Sequence, residues 1–409
     1  MLDEKDKSVI QEGYRDFLRC RGFQPRFGQK NMIAEIAKVL SHKDPNKRLA
    51  VIEAGTGTGK TIAYLIAALP LARAQKKTLI VSTGTIALQE QLVKKDLPDL
   101  LSNCGWDFSY TLMKGRGRYA CNLRMHNYLA ELSTSKGDAL FLFDDEKVLE
   151  DPVTADLYTE LWEAMENGTW DGDRDTWKSH IDEFHWRPLT VDRRQCAGRN
   201  CRFVKECAFF RARSELEVSD CIVVNHDLVM ADFSLGGGII LPPLEESIYV
   251  FDEAHRLCET AVRHFGADCH IKSSCNWLEK VNRQCKAQAG MNETGSELVE
   301  LLSIVAEQAQ NVLNLLKESH PICEQYLSKI HVTGEEKTYR FSHGNVEDDL
   351  RLLSIQIKKT LGDWLKQVEA LNNLLKDMLT NRNGQVAVEN IENLFQIVGQ
   401  WLGRAKKMT

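Results

Sequence analysis

The chain has 409 residues, of which 43% are apolar and 27% charged, with a formal net charge of −6. That length suits about two to three domains with real cores, and an acidic total argues against non-specific nucleic-acid binding by the whole molecule. The charged opening MLDEKDKSVIQEGY lacks the apolar stretch of a secretion signal, and the run IAYLIAALPLA from Ile62 is too short to span a bilayer and is interrupted by Pro70, so no membrane partner and a cytoplasmic location are expected.

Residues 7–20 and GQKNMIAEIAKVL (28–40) carry apolar side chains at helical spacing. Short apolar runs bounded by turn residues then read as strands: RLAVIEA (48–54), KTLIVST (77–83) and FSYTLM (108–113). The same rhythm resumes at CIVVNHDL (221–228) and SIYVFDEA (247–254). Strands alternating with helices predict an α/β fold around a parallel sheet. Residues 114–213 interrupt it as an insertion, and beyond residue 262 the pattern is almost wholly amphipathic helix, with 286–296 as a loop. The expected division is 1–113 and 214–262 for the α/β part, 114–213 for the insertion and 263–409 for a helical domain.

AGTGTGKT, comprising Ala54, Gly55, Thr56, Gly57, Thr58, Gly59, Lys60 and Thr61, follows one of these strands and opens an apolar helix. This is the setting of a phosphate-binding loop. Its glycines let backbone N–H groups turn inward around phosphate oxygens. Lys60 offers a charge to the terminal phosphates, and Thr61 a hydroxyl to Mg²⁺. The helix N-terminus behind the loop adds its positive end. VFDEAH (250–255) supplies the other half. Asp252, at the end of a strand, is placed to hold Mg²⁺, and Glu253 to polarise an attacking water as general base. Together the two strings imply ATP hydrolysis.

Twelve cysteines exceed what packing requires. Cys121, Cys196, Cys201 and Cys207 form a C-x74-C-x4-C-x5-C series inside the insertion. Four thiolates can hold a [4Fe–4S] cluster or a tetrahedral Zn²⁺, or stay unliganded; the uneven spacing leans towards the cluster. The series lies within two basic stretches: Lys114, Arg116, Arg118 and Arg124, then Arg193, Arg194, Arg199, Arg202, Lys205, Arg211 and Arg213 against Glu206. An acidic excursion separates them (138–175), and together they can form an electropositive groove. Tyr119, Phe203, Phe209 and Phe210 are interleaved with these arginines, ready either to stack bases or to pack around the thiols. Cys258, Cys269, Cys275 and Cys285, near His264 and His270, read as buried thiols on helices before they read as a second metal site.

AGTGTGKT and DEAH together resemble superfamily 2 helicases. RFGQ (26–29), STGTIALQEQL (82–92), KGRGRYAC (114–121), VVNHDLVM (223–230) and the cysteine series narrow the resemblance to the XPD/DinG group of iron–sulfur helicases. The resemblance implies a RecA-like lobe with an inserted iron–sulfur subdomain and a mostly helical arch domain. It implies ATP, Mg²⁺ and a [4Fe–4S] cluster as cofactors. Arg26 and Gln29 would recognise adenine, Thr83 and residues 84–91 would touch the DNA backbone, and His255 would couple hydrolysis to strand movement. The implied substrates are single-stranded DNA next to duplex, with RNA–DNA hybrids as a further partner. The implied action is 5′→3′ unwinding in DNA repair or R-loop clearance.

The family's second RecA-like lobe carries a Q-x-x-G-R-x-x-R string with an arginine finger, and no such string follows Asp252. The expectation is therefore a chain without the second motor lobe and weakly active alone, since such an arginine is worth about 10³–10⁵ in turnover. The alternative is a non-motor module, or a truncated accessory protein, that binds single-stranded DNA and uses its cluster for structure or redox sensing.

Overall fold

The computed structural model describes residues 2–55, 57–133, 152–266, 269–290, 296–329, 339–381 and 388–408. They form two compact units, Met1–Gly115 with Phe209–Gly266 and Arg116–Ala208 with Ala267–Thr409.

The first unit is built on four parallel strands, β1 (Thr78–Thr83), β2 (Tyr110–Leu112), β3 (Cys221–Asn225) and β4 (Ser247–Phe251), in the order β2-β3-β1-β4. Val81 of β1 sits in register with Val223 on one side and Val250 on the other. The central strands β1 and β3 are buried nearly end to end, which explains their continuous apolar runs. Helices α1 (Glu4–Arg21), α2 (Phe27–Leu40) and α3 (Lys60–Ala74) join the same core through Tyr14, Phe17, Ile33 and the apolar side of α3. Pro70 does not break α3, which continues to Ala74.

One expected strand is absent. Residues 48–54 make no ladder, and Leu49 and Val51 are 82% and 93% exposed. The segment has strand composition, but among the described residues no strand lies beside it to take up its backbone N–H and C=O groups. Without a partner an apolar run gains neither ladder bonds nor burial.

The second unit is helical. Helices Asn122–Ser133, Pro152–Glu166, Ile271–Ala289, Ser296–Ser328, Asp348–Asn381 and Val388–Met408 surround one core. Its largest side chains, Trp186, Trp364 and Trp401, are fully buried. The Trp364 indole N–H reaches the Val305 carbonyl at 3.0 Å, so the ring is buried without an orphaned donor. Residues 116–208 and 267–409 share this core although the β3–β4 segment separates them in sequence. Residues 138–151 of the acidic excursion, with FDDEK and most of LEDP, lie outside the described residues, as do 291–295 of the expected loop. Among the described residues no helix is long and apolar enough to cross a membrane.

Candidate functional site

β1, β3 and β4 run parallel, so their carboxyl ends, at Thr83, Asn225 and Phe251, open on one edge of the first unit. Ligands of open α/β sheets bind at that edge. β4 delivers Asp252 and Glu253 there, and the glycine loop delivers the start of α3. The two strings, far apart in sequence, meet: Lys60 Nζ lies 3.4 Å from Glu253 Oε1. Glu253 Oε2 lies 3.4 Å from His255 Nδ1, making a chain of three polar groups at the end of the strand. Glu253 has left-handed backbone angles (φ 55°, ψ 45°), an uncommon state for a residue with a side chain. Its N–H donates to Asp252 Oδ1 at 3.0 Å.

The loop is held from two sides. Internally, the Thr58 hydroxyl donates to the Gly55 carbonyl at 2.6 Å. From α2, Gln29 Nε2 donates to the Gly59 carbonyl at 3.0 Å, and the Arg26 guanidinium donates to the Gly57 carbonyl. Gly57 and Gly59 both have φ of 78°. At Gly59 a Cβ would lie 2.5 Å from Gln29 Nε2, so glycine is required there both for its backbone angle and for the close approach of the amide. Ala54 leads into the loop outside any helix or strand, and Thr56 lies outside the described residues.

Tyr64, one turn into α3, connects the two residues expected at Mg²⁺. Its hydroxyl donates to Asp252 Oδ2 at 3.3 Å, and the Thr61 side chain lies close enough to the same phenol to oppose the rise in its pKa. Burial first, and the Asp252 carboxylate second, drive the Tyr64 pKa well above its ordinary value, so it stays a neutral donor. Thr61 and Asp252 thus share one neighbour. Two protein oxygens, completed by phosphates and waters, are the usual protein share of a Mg²⁺ site, so the donor set fits that ion.

His226, just past β3, is buried, with Nδ1 2.7 Å from Ser82 Oγ. Burial lowers its pKa, against the opposing pull of the Glu253 and Asp252 backbone carbonyls. A neutral imidazole is therefore anchored to the end of β1 through Nδ1, while its Nε2 is buried without a hydrogen-bond partner. Sequence reasoning quoted VVNHDLVM without giving His226 this place, and it missed Tyr14 and Tyr64. Tyr64 was within reach of sequence, three residues after Thr61 and so on the same side of a helix.

Thr83, expected near DNA, is fully buried, its hydroxyl donating to the Thr85 carbonyl at 3.1 Å. Thr85 caps α4 (Ile86–Gln91) by accepting from the Leu88 N–H.

In the second unit Cys121, Cys196, Cys201 and Cys207 are all free thiols. Burial pushes Cys121 up to about 11, with Cys196 and Cys207 adding to the rise, and Cys201 up to about 12, with Cys121 and Cys196 adding. Cys121 therefore sits within electrostatic reach of Cys196 and Cys207, and Cys201 within reach of Cys121 and Cys196. Backbone N–H groups of Arg124, Phe203 and Gly198 point at the sulfurs of Cys121, Cys201 and Cys196, the last at 3.4 Å. Such donors stabilise thiolates bound to a cluster, so the chemistry of the donor set, four thiols with backbone N–H groups beside them, suits one. Among the described residues no group of three or more His, Cys, Asp or Glu is gathered tightly enough to hold a single metal ion.

Several of the basic residues are engaged internally. Arg124 is buried with a bond to the Thr190 carbonyl, Arg118 pairs with Asp175, and Arg202 pairs with buried Glu392 at 3.3 Å. Arg193, Arg199 and Lys205 are exposed. Tyr119 and Phe209 are buried, and Phe203 packs against His126 and Trp162. Cys275 and Cys285 are buried on one helix, while His264 bonds Asp227 at 3.1 Å.

Residues 28–119 match the family model of the DEAD/DEAH box helicases. Over 98% of its length the chain is 34% identical to the ATP-dependent DNA helicase DinG of Photobacterium profundum, covering 58% of that protein. It is 31% identical to the DinG helicases of Escherichia coli K12 and Salmonella paratyphi A, covering 53% and 52% of them. The chain spans about half the length of the curated relatives it matches.

Proposed function

The chain is DinG-like and carries a DEAD/DEAH box helicase domain, and on that premise we propose that it binds and hydrolyses ATP as one part of an ATP-dependent DNA helicase. The observation that carries the reading is the convergence of Lys60 and Glu253 at the carboxyl edge of the sheet. Lys60 has a carboxylate partner in Glu253. A triphosphate would draw the ammonium to itself and leave Glu253 free to accept a proton from the attacking water. Thr61 and Asp252 would hold Mg²⁺, which would supply positive charge to offset that developing on the phosphates. Tyr64 keeps the Asp252 carboxylate oriented while remaining neutral. His255, beside Glu253, can respond to the loss of the terminal phosphate and pass that change on.

Cys121, Cys196, Cys201 and Cys207 would hold a [4Fe–4S] cluster, which would tie residue 121 to the 196–207 segment within the second unit. The arginine that stabilises the transition state would come from a second RecA-like lobe outside these residues. The DNA preferences read from the resemblance, 5′→3′ unwinding from single-stranded regions and action on RNA–DNA hybrids, belong to this proposal. Phosphate release stimulated by single-stranded DNA and lost in Lys60→Ala supports it. DNA binding that survives Lys60→Ala, with no turnover even when the relatives' remaining length is supplied, would replace it with the non-motor module.

A further inference from the structure

Gln29 is expected to read adenine, yet both ends of its amide are already engaged. Its Oε1 accepts from the Tyr14 hydroxyl at 2.8 Å, and its Nε2 donates to the Gly59 carbonyl at 3.0 Å. Both side chains are buried, and Tyr14 comes from α1, an element that no motif touches. Arg26, the other functional position of RFGQ, lies near enough to the Tyr14 oxygen to act against the rise in its pKa that burial causes.

The orientation has a consequence for the loop. A trans peptide unit points its C=O and its N–H in opposite directions. Gly59 C=O and Lys60 N–H belong to one such unit, and the Gln29 amide grips its carbonyl, as does the Ala63 N–H at 3.1 Å. The grip turns the Lys60 N–H the other way, into the turn where a phosphate would lie. If the Gln29 amide were flipped, its carbonyl would face the Gly59 carbonyl, oxygen against oxygen. The Tyr14 hydroxyl, donating to Oε1, favours the orientation observed.

We propose that Tyr14 is a positioning residue for phosphate binding, acting through Gln29 on the Gly59–Lys60 peptide rather than on the base. The inference rests on the ATP-site reading and deepens it by assigning the Tyr14–Gln29 pair to the phosphates. Removing the hydroxyl should therefore weaken every ligand that carries a triphosphate, with or without a base.

The test is equilibrium binding of ATP and of inorganic triphosphate to the 409-residue chain, measured by displacement of a fluorescent nucleotide. Tyr14→Phe keeps the ring and removes one buried hydrogen bond, so both ligands should bind roughly fivefold more weakly. Gln29→Met should weaken both ligands by a common factor, and adding Tyr14→Phe to it should cost nothing more, because the two residues act as one link. Unchanged binding in Tyr14→Phe, a loss for ATP alone, or losses that multiply in the double variant would each overturn the inference. Should Tyr14→Phe fail to fold, Gln29→Met alone decides: equal losses support the link, and a loss confined to ATP refutes it. Lys60→Ala separates the two levels. If it leaves ATP binding intact, the site itself is misassigned; if it abolishes binding while Tyr14→Phe is neutral, only the role of Tyr14 fails.

Discussion

Glu253→Gln separates the chemistry of the proposed site from its architecture. The substitution keeps the size of the side chain and its hydrogen-bonding reach but removes the charge. In the structure Glu253 meets Lys60 at 3.4 Å, with the two side chains 34% and 29% exposed. A partly solvated pair of this kind contributes about 0.2–1 kcal/mol, so the melting temperature should move by no more than about 4 °C. The left-handed backbone at φ 55° is retained by glutamine, so the turn itself gains or loses little. Loss of a general base costs about 10²–10⁴ in turnover, which is about 2.7–5.4 kcal/mol of barrier. The catalytic effect thus exceeds the structural one several-fold. Nucleotide affinity should hold or rise, because Lys60 loses a competitor for the phosphates. Phosphate release with single-stranded DNA, nucleotide displacement and a thermal melt measure the three quantities on one preparation. Turnover within tenfold of the parent, or affinity falling in step with turnover, would refute the assignment of Glu253 as base.

Cys201→Ser should abolish the brown colour and the bound iron of protein purified without air, and a colourless parent protein containing zinc would remove the cluster from the account. Burial holds the pKa of His226 below the ordinary histidine range. A depressed histidine stabilises the fold above the unfolded pKa, and that stability is lost as pH falls through about 6.5 towards the folded value. The melting temperature should therefore drop on acidification in this range, and His226→Gln should flatten the slope; an unaltered slope would mean that the imidazole charges freely. Trp364→Ala empties a fully buried site and removes the indole bond to the Val305 carbonyl, costing about 3–5 kcal/mol. Its effect should fall on the melting of the helical unit, and hydrogen exchange that reports a loss mainly in the β1–β4 sheet would contradict the division into units.

The sequence by itself determined the parallel α/β pattern, the glycine loop, the DEAH carboxylates and the thiol series. Each is a local matter: apolar period, turn chemistry and residue type at fixed spacing are written in neighbouring residues. KTLIVST and CIVVNHDL became strands because both of their faces are buried, which their continuous apolar composition announces. RLAVIEA has the same composition and did not pair, because a strand also needs a neighbour and composition does not encode one. Only the tertiary structure decided that Lys60 and Glu253, 193 positions apart, share a contact. It alone placed Tyr14 behind Gln29 and the buried His226 ring against Ser82. It also spent Arg118, Arg124 and Arg202 on internal partners where the charge pattern suggested an open basic surface. Those facts depend on which buried polar groups find one another when the chain closes, and the cost of leaving any of them unpaired is settled in three dimensions.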